Sequence, residues 1–243
     1  MNQTWTLTDQ KRSFVCEGQE GPSEARKAHR DYRVIDPQTI AHKLSQGGLR
    51  ARLAYGSKTK AHLKSPLTAI LEVTDTMVVL KPGYDSTCCI YFDHRGKAAV
   101  KFTAGPKRVE CANMFMCPDL SIHHCSLQAD LFLATPCSVV RGVLRRVRDR
   151  LERLESLKHT LGGAILPAFV KSKAPRLGKR VFHEFARYRA ASGNTQWSAL
   201  QALTEPSNRR LDEFAGRLLG DPDAYQAMLS GGDMALHLER NWN

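Results

Sequence analysis

The chain has 243 residues, of which 42% are hydrophobic and 25% are charged, a composition typical of a folded globular protein. No apolar run approaches the ~18–20 residues that a transmembrane helix needs, and the first residues lack the pattern of a secretory signal. We therefore expect a cytoplasmic protein without a membrane partner. The seven cysteines are an odd number, which favours reduced thiols over a complete disulfide framework.

The charge is unbalanced, with 36 Lys and Arg against 24 Asp and Glu, a formal net charge of +12. The excess is concentrated in residues 26–64, 138–160 and 171–189, whereas residues 205–243 carry four basic and seven acidic side chains. Clustered positive charge favours a polyanionic partner, and nucleic acid is the first candidate. The alternative is a solvated basic surface without a ligand.

The N-terminal part of the chain contains few regular signals. Residues 1–25 contain turn formers and little periodicity, so we expect a flexible arm with one short strand around Phe14. Asp36 and Pro37 then supply an N-cap and a first helical residue, and Gly47 supplies a stop. This pattern predicts a short helix.

From Leu49 to Ser126 the sequence consists of short β-rich runs, such as LTAILEV, CCIYF and KAAVKF. Turn signals such as KPGYD and DHRGK separate these runs. The segment predicts an antiparallel sheet of about five to seven strands.

After Pro136 the apolar period becomes helical, with spacings of three and four from Val140 to Leu161 and a Gly162 stop. A long helix packed on the sheet is expected, so the fold class is α+β. Arginines occupy both flanks of the apolar stripe, and either phosphate contacts or surface ion pairs with neighbouring acids would explain them. These arginines are Arg141, Arg145 and Arg148 on one flank and Arg146, Arg150 and Arg153 on the other.

The last third of the chain begins with residues 167–180, which contain two prolines, a glycine and basic residues without a clean period. They predict a basic loop, and short capped helices are expected beyond it. The predicted organisation is a flexible arm (1–25), an α+β nucleic-acid-binding core (26–161), a basic linker or loop (162–180) and a helical C-terminal layer (181–243).

A strand pair around residues 91–108 combines basic and aromatic side chains. Cations neutralise phosphates and rings stack on bases, a combination suited to single-stranded nucleic acid. Because side chains alternate along a strand, Phe92 and Phe102 have core packing as their alternative. The predicted nucleic-acid contacts are Tyr91, Arg95, Lys97, Lys101, Lys107 and Arg108 on this pair, Lys58, Lys60 and Lys64 upstream, and Lys171, Lys173, Arg176, Lys179 and Arg180 in the basic loop.

Residues with metal-ligand chemistry occur together only once, at Cys111, Cys117, His123, His124 and Cys125. The spacing differs from that of common zinc sites, in which paired ligands point at one ion, so we expect buried cysteines and a structural histidine instead. A Cys-His nucleophile pair is a further alternative. Nucleotide-binding glycine loops and the common hydrolase and kinase motifs are missing. We therefore expect no cofactor and no enzymatic activity.

Several stretches resemble a family of phage and plasmid-like proteins that share a widespread domain of unknown function. The similar stretches are Asp93-His94-Arg95-Gly96-Lys97, Arg108-Val109-Glu110-Cys111-Ala112-Asn113, His123-His124-Cys125 and, upstream, Tyr32-Arg33-Val34. The resemblance covers roughly residues 30–160. It implies a phage or mobile-element protein with an α+β sheet domain, no established catalytic activity and a role in DNA transactions. Arg95 and Lys97 depart from the family pattern by replacing acidic and serine positions.

Three functions follow as hypotheses. The first is a phage single-stranded DNA-binding protein acting in transcription, replication or recombination, with the acidic residues 205–243 recruiting a phage RNA polymerase. The second is an inhibitor of a host defence enzyme. The third is a metal-dependent nuclease with ligands from Asp93-His94 and His123-His124-Cys125. A homo-oligomer is also expected, since symmetric assembly covers the edges of a short sheet.

Overall fold

The structure is a computed structural model. It describes residues 4–8, 13–18, 21–27, 31–55, 68–75, 78, 80, 83–93, 99–108, 116–156, 165–173, 175–205 and 230–238. The chain forms two compact units. Unit 1 comprises residues 1–76, 88–102 and 119–142, and unit 2 comprises residues 77–87, 103–118 and 143–243.

The N-terminal segment forms a three-stranded antiparallel sheet. Its strands are β1 (Thr4–Thr8), β2 (Ser13–Gly18) and β3 (Gly21–Lys27), in the order β1-β2-β3. The short strand predicted around Phe14 is confirmed by β2, and the structure adds a strand on either side of it in the segment predicted as a flexible arm (1–25). Each strand pairs with its sequence neighbour, from Thr4 opposite Glu17 to Thr8 opposite Ser13 in the first hairpin. The turn formers Gly18, Gly21 and Pro22 are themselves paired residues of β2 and β3.

A second sheet has five strands in chain order, which confirms the predicted α+β class and the antiparallel sheet. Its first two strands pair in continuous register, from Arg50 opposite Thr74 to Tyr55 opposite Ala69. The fourth strand continues through Pro106, where the sequence suggested two separate strands. The strands are β4 (Arg50–Tyr55), β5 (Thr68–Thr74), β6 (Tyr84–Asp93), β7 (Val100–Arg108) and β8 (Cys117–Ile122).

Helix α1 (Pro37–Gln46) begins and ends where its sequence predicts. The Asp36 carboxylate accepts hydrogen bonds from the backbone N–H groups of Gln38 and Thr39, at 3.3 and 2.8 Å. This satisfies two of the N–H groups that a helix leaves unpaired at its start. The chain leaves the helix through Gly48, whose φ of +83° favours glycine.

Two consecutive helices follow β8. Helix α2 (Leu127–Ala134) was not predicted, because its apolar residues show no helical period. Helix α3 (Pro136–Ser156) confirms the predicted long helix over its described length. Its apolar residues Val140, Leu144, Val147 and Leu151 are buried. Residues 157–164 lie outside the described residues.

The C-terminal part of unit 2 is helical, as predicted, but the helices begin earlier than expected. They are α4 (Ile165–Lys173), a 3₁₀ turn (Pro175–Leu177), α5 (Gly178–Ser192), α6 (Gln196–Thr204) and residues 230–238, which we label α7. The prediction of a linker or loop at 162–180 was therefore wrong for residues 165–173 and 175–180. Pro167 lies in the first turn of α4, where its missing N–H removes no helical hydrogen bond.

One buried ion pair fixes α3 within unit 1. The Asp75 side chain, which has no exposed surface, accepts a hydrogen bond from Arg141 Nε at 3.1 Å. The same guanidinium donates from Nη2 to the Gly47 carbonyl at 2.7 Å. Arg141 thus connects α3 to the end of β5 and to the end of α1, and it neutralises a carboxylate that would be costly to bury alone.

Replacing Arg141 by alanine removes the cation from this buried carboxylate. We expect the free energy of unfolding in urea to fall by about 2–4 kcal/mol, the range for breaking a buried pair whose arginine keeps some exposure. The control is Arg148→Ala, since Arg148 pairs at 3.3 Å with Asp149 and both side chains are about half exposed. That change should cost less than about 1 kcal/mol. Equal losses in the two variants would contradict the role assigned to Arg141.

Within unit 2, helix α7 lies so close to the start of β8 that no side chain fits between them at Gly232. A Cβ atom at Gly232 would overlap the main-chain carbonyl of Met116. The Cys117 thiol also points at the Gly232 carbonyl, with 3.5 Å from Sγ to oxygen. Backbone atoms cannot turn aside as a flexible side chain would, so this contact requires glycine.

Gly232→Ala should therefore lower the free energy of unfolding by about 1–3 kcal/mol, the usual cost of overpacking. This reverses the ordinary preference of helices for alanine over glycine. Gly178→Ala is the matched control, because its Cβ would meet only the Val170 side chain, at 3.3 Å. Urea unfolding of both variants measures the difference. A Gly232 variant as stable as the control would show that α7 does not approach β8 so closely.

Candidate nucleic-acid interface

The basic segment predicted as a loop is built on two helices and the 3₁₀ turn between them. Leu166 and Val170 lie one turn apart and are both buried, and Leu177 and Val181 repeat this spacing across the start of α5. These four residues hold the backbone against the rest of unit 2. Because the apolar face is turned inward, the polar positions between these residues are left at the surface.

Four of the five predicted contacts in this segment are exposed. Lys171, Lys173, Arg176 and Lys179 all present their side chains to solvent. Arg187 and Arg189, further along α5, are exposed as well. We name these six residues the α4–α5 basic surface. Lys173 also forms an ion pair, in which its Nζ lies 3.4 Å from Asp233 Oδ2 and both side chains are about half exposed.

The fifth predicted contact, Arg180, has a structural role. Its Nε and Nη2 both donate to the same oxygen of Glu205, at 2.9 and 2.7 Å. Arg180 is half-buried, and this pair joins the first turn of α5 to the C-terminal end of α6. Because Arg180 is half-buried as well as paired, unlike the exposed residues of the basic surface, we exclude it from that surface. A sequence cannot show this pairing, because the partners are 25 residues apart.

The acidic residue within this segment is turned away from solvent. Glu184 is buried, and its Oε2 lies 3.0 Å from Arg187 Nη2 in an ion pair. Arg187 itself remains 63% exposed. A hydrogen bond with Tyr188 and the charge of Glu184 raise the pKa of Arg187, so this residue stays charged at any physiological pH. Residues 171–189 thus expose mostly positive charge.

The order of α5, a short connection and α6 follows that of a helix-turn-helix. Gly193 has a φ of +81°, and the Thr195 hydroxyl caps α6 by accepting from the Ser198 N–H at 3.0 Å. In that motif the second helix exposes side chains to the major groove of DNA. Here every residue from Trp197 to Thr204 is buried. Helix α6 therefore offers no surface for reading a duplex.

The strand pair provides fewer described contacts than predicted. Lys101 on β7 is exposed, whereas Tyr91 is half-buried. Phe92 and Phe102 are fully buried, and Phe102 packs edge to face on Phe132 with ring centres 5.2 Å apart. Neither phenylalanine ring is available to stack on a base. The remaining predictions, Lys58, Lys60, Lys64, Arg95 and Lys97 and the side chains of Lys107 and Arg108, lie outside the described residues.

The histidine and cysteine run after β8 is divided between different roles. His124 is buried, stacks on Tyr32 with ring centres 4.5 Å apart, and forms a hydrogen bond between Nδ1 and the Arg33 carbonyl, at 2.9 Å. His123 and Cys125 beside it are exposed. Among the described residues, no three His, Cys, Asp or Glu side chains are grouped as metal ligands would be. Cys111 lies outside those residues.

The sequence-based site missed the C-terminal half of α5. Arg187 and Arg189 were counted in the charge of the segment but not assigned to the site, and exposed Phe182 was not considered. Phe182 follows Lys179 by three residues and Arg189 follows Phe182 by seven. This spacing is the signal that could have identified Phe182 and Arg189, because positions three, four and seven apart share a helix face.

Comparison with protein-family models, curated proteins and solved structures finds no match to this chain. The resemblance to phage and plasmid-like proteins therefore stays a prediction. Across the part of the chain that the structure describes, no single helix is long and apolar enough to span a membrane. The bent pair Leu127–Ala134 and Pro136–Arg153 meets that criterion of length and composition only when both helices are combined.

The described cysteines should differ sharply in reactivity. Cys125 is exposed, whereas Cys89 is buried. Burial, then the neighbouring Cys88 and then Glu72, raise the pKa of the Cys89 thiol well above its usual value. Thiolates are the reactive form, so iodoacetamide should modify Cys125 in the folded protein and Cys89 only after unfolding.

Peptide mass spectrometry with and without urea measures this difference, and equal labelling rates in the folded protein would contradict it.

The raised pKa of Cys89 also makes the stability of the folded protein depend on pH. The unfolded chain loses the thiol proton near pH 8.5, below the folded-state pKa. The stabilisation from a neutral Cys89 is therefore complete below about pH 8.5 and declines as the pH rises further.

Proposed function

We propose that this protein is a non-enzymatic single-stranded DNA-binding protein that contacts the phosphate backbone through the α4–α5 basic surface. The observation that supports this most directly is the exposure of six cations between Lys171 and Arg189, a segment whose glutamate, Glu184, is buried. The buried α6 argues against groove reading by a second helix. Contacts of this kind give affinity without strong sequence preference.

Lys101 on β7 belongs to unit 1 and is an exposed cation of the predicted strand pair, whereas Tyr91 on β6 is half-buried. Because Phe92 and Phe102 are buried, this strand pair offers charge but no phenylalanine ring to a nucleic acid. The contact proposed here is assigned to the helices of unit 2.

The biological setting in this proposal follows the resemblance described above. A phage protein of this kind would act in phage transcription, replication or recombination, with a phage RNA polymerase as a candidate partner and with homo-oligomers along the strand. The alternatives of a host-enzyme inhibitor and a metal-dependent nuclease predict different outcomes in the same assay. An inhibitor would leave DNA unbound, and a nuclease would cut it when a divalent metal is added.

Removing two cations from the α4–α5 basic surface should weaken DNA binding and its salt dependence together. We expect Arg176→Ala with Lys179→Ala to lower affinity for a fluorescein-labelled oligo-dT strand tenfold or more in anisotropy titrations. Each lost phosphate contact should also reduce the slope of log affinity against log salt by about 0.7. The measurement is repeated over several salt concentrations, followed by a gel that shows whether the DNA is intact.

The matched control, Arg33→Gln with Arg148→Gln, removes the same net charge. Arg33 Nε donates to Asp130 at 2.7 Å, and Arg148 Nε donates to Asp149 at 3.3 Å. Neither arginine belongs to the α4–α5 basic surface, so the control should change affinity less than about threefold. Equal losses would show that only net charge matters. No binding by the unmodified protein at low salt would refute the proposed function.

A further inference from the structure

One large apolar side chain lies within the α4–α5 basic surface. The Phe182 ring on α5 is 44% exposed. It lies outside the buried face of this helix, which contains Val181 and Glu184. An exposed phenyl ring contributes little to the core, because much of its surface stays in water.

The exposed residues at helical spacing from Phe182 are either basic or small, whereas Phe185, three residues after it, is half-buried. Lys179 precedes it by three residues, Ala186 follows by four and Arg189 by seven, and all three are exposed. Residues at these spacings lie on the same side of a helix, with Cβ atoms of adjacent turns about 5–6 Å apart. The ring therefore has a cation on the turn before it and, on the turn after it, half-buried Phe185 and the short exposed side chain of Ala186, which leaves space on the Ala186 side of the ring.

An exposed ring beside cations suits the binding of single-stranded nucleic acids. Their unpaired bases expose flat faces, and protein rings that stack on these faces typically lie in grooves whose cations follow the phosphates. A duplex hides the same faces between neighbouring base pairs. A ring surrounded by cations thus discriminates single strands from duplexes, whereas the cations alone bind both.

We propose that Phe182 is the base-stacking residue of this protein and the source of its preference for single strands. This inference rests on the proposed function, since it needs the α4–α5 basic surface to hold the strand. Lys179 and Arg189 contact phosphates on either side of the stacked base. The short side chain of Ala186 leaves the space that the base enters.

The test compares Phe182→Ala, Phe182→Leu and Phe182→Trp by anisotropy with labelled oligo-dT and with a hairpin duplex at one salt concentration. We expect Phe182→Ala to weaken single-strand binding about tenfold, within the range for one lost stacking contact. Duplex binding should change less than twofold. Phe182→Leu keeps an apolar side chain without a flat ring and should lose as much, whereas Phe182→Trp should retain or increase affinity.

Leu127→Ala is the matched control, because Leu127 on α2 is 87% exposed and lies outside the basic surface. It should leave both affinities unchanged. Circular dichroism melting confirms that each variant is folded, which is expected for a surface position. An equal loss of single-strand and duplex binding in Phe182→Ala, or full binding by Phe182→Leu, would overturn the inference. The loss of affinity in Arg176→Ala with Lys179→Ala is measured separately from any effect of Phe182. The proposed function and this inference can therefore fail separately.

Discussion

Asp75 is a carboxylate without exposed side-chain surface, and the arrangement of unit 1 depends on the arginine that neutralises it. Arg141 satisfies this charge and also binds the carbonyl at the end of α1. Lys43 adds a second connection, since its Nζ donates to the Leu133 carbonyl of α2 at 2.7 Å. The helices are thus held by directional polar contacts at their ends as well as by apolar burial, which has no directional preference.

The same principle explains which charges of unit 2 remain available to a ligand. The charge of Arg180 is compensated by Glu205, and Glu184, a residue of α5, is buried. The cations that remain exposed, such as Arg176 and Lys179, are left on one stretch of chain without an exposed acid among them. A large net charge becomes a binding surface only where the acids are turned away in this manner. The surface then attracts a polyanion through counterion release and long-range steering.

Elements with local signals were predictable, and those without them were not. The Asp36-Pro37 start of α1 and the apolar stripe of α3 were recognised because caps and helical periods are visible in the residues themselves. The loop predicted at 167–180 failed because Pro167 was interpreted as a breaker, although a proline in the first turn of a helix breaks no hydrogen bond. Helix α2 has no apolar period, so no local signal identified it.

The α+β class follows from the residues alone, as do the predominance of positive charge and the three segments in which this charge is concentrated, because composition, period and capping are local properties. Which of those side chains are accessible depends on the tertiary fold. Phe92 and Phe102 became core residues, Arg180 was paired and Phe182 was left exposed beside Lys179. These outcomes depend on partners distant in the chain, and burial and pairing are defined only once such partners meet.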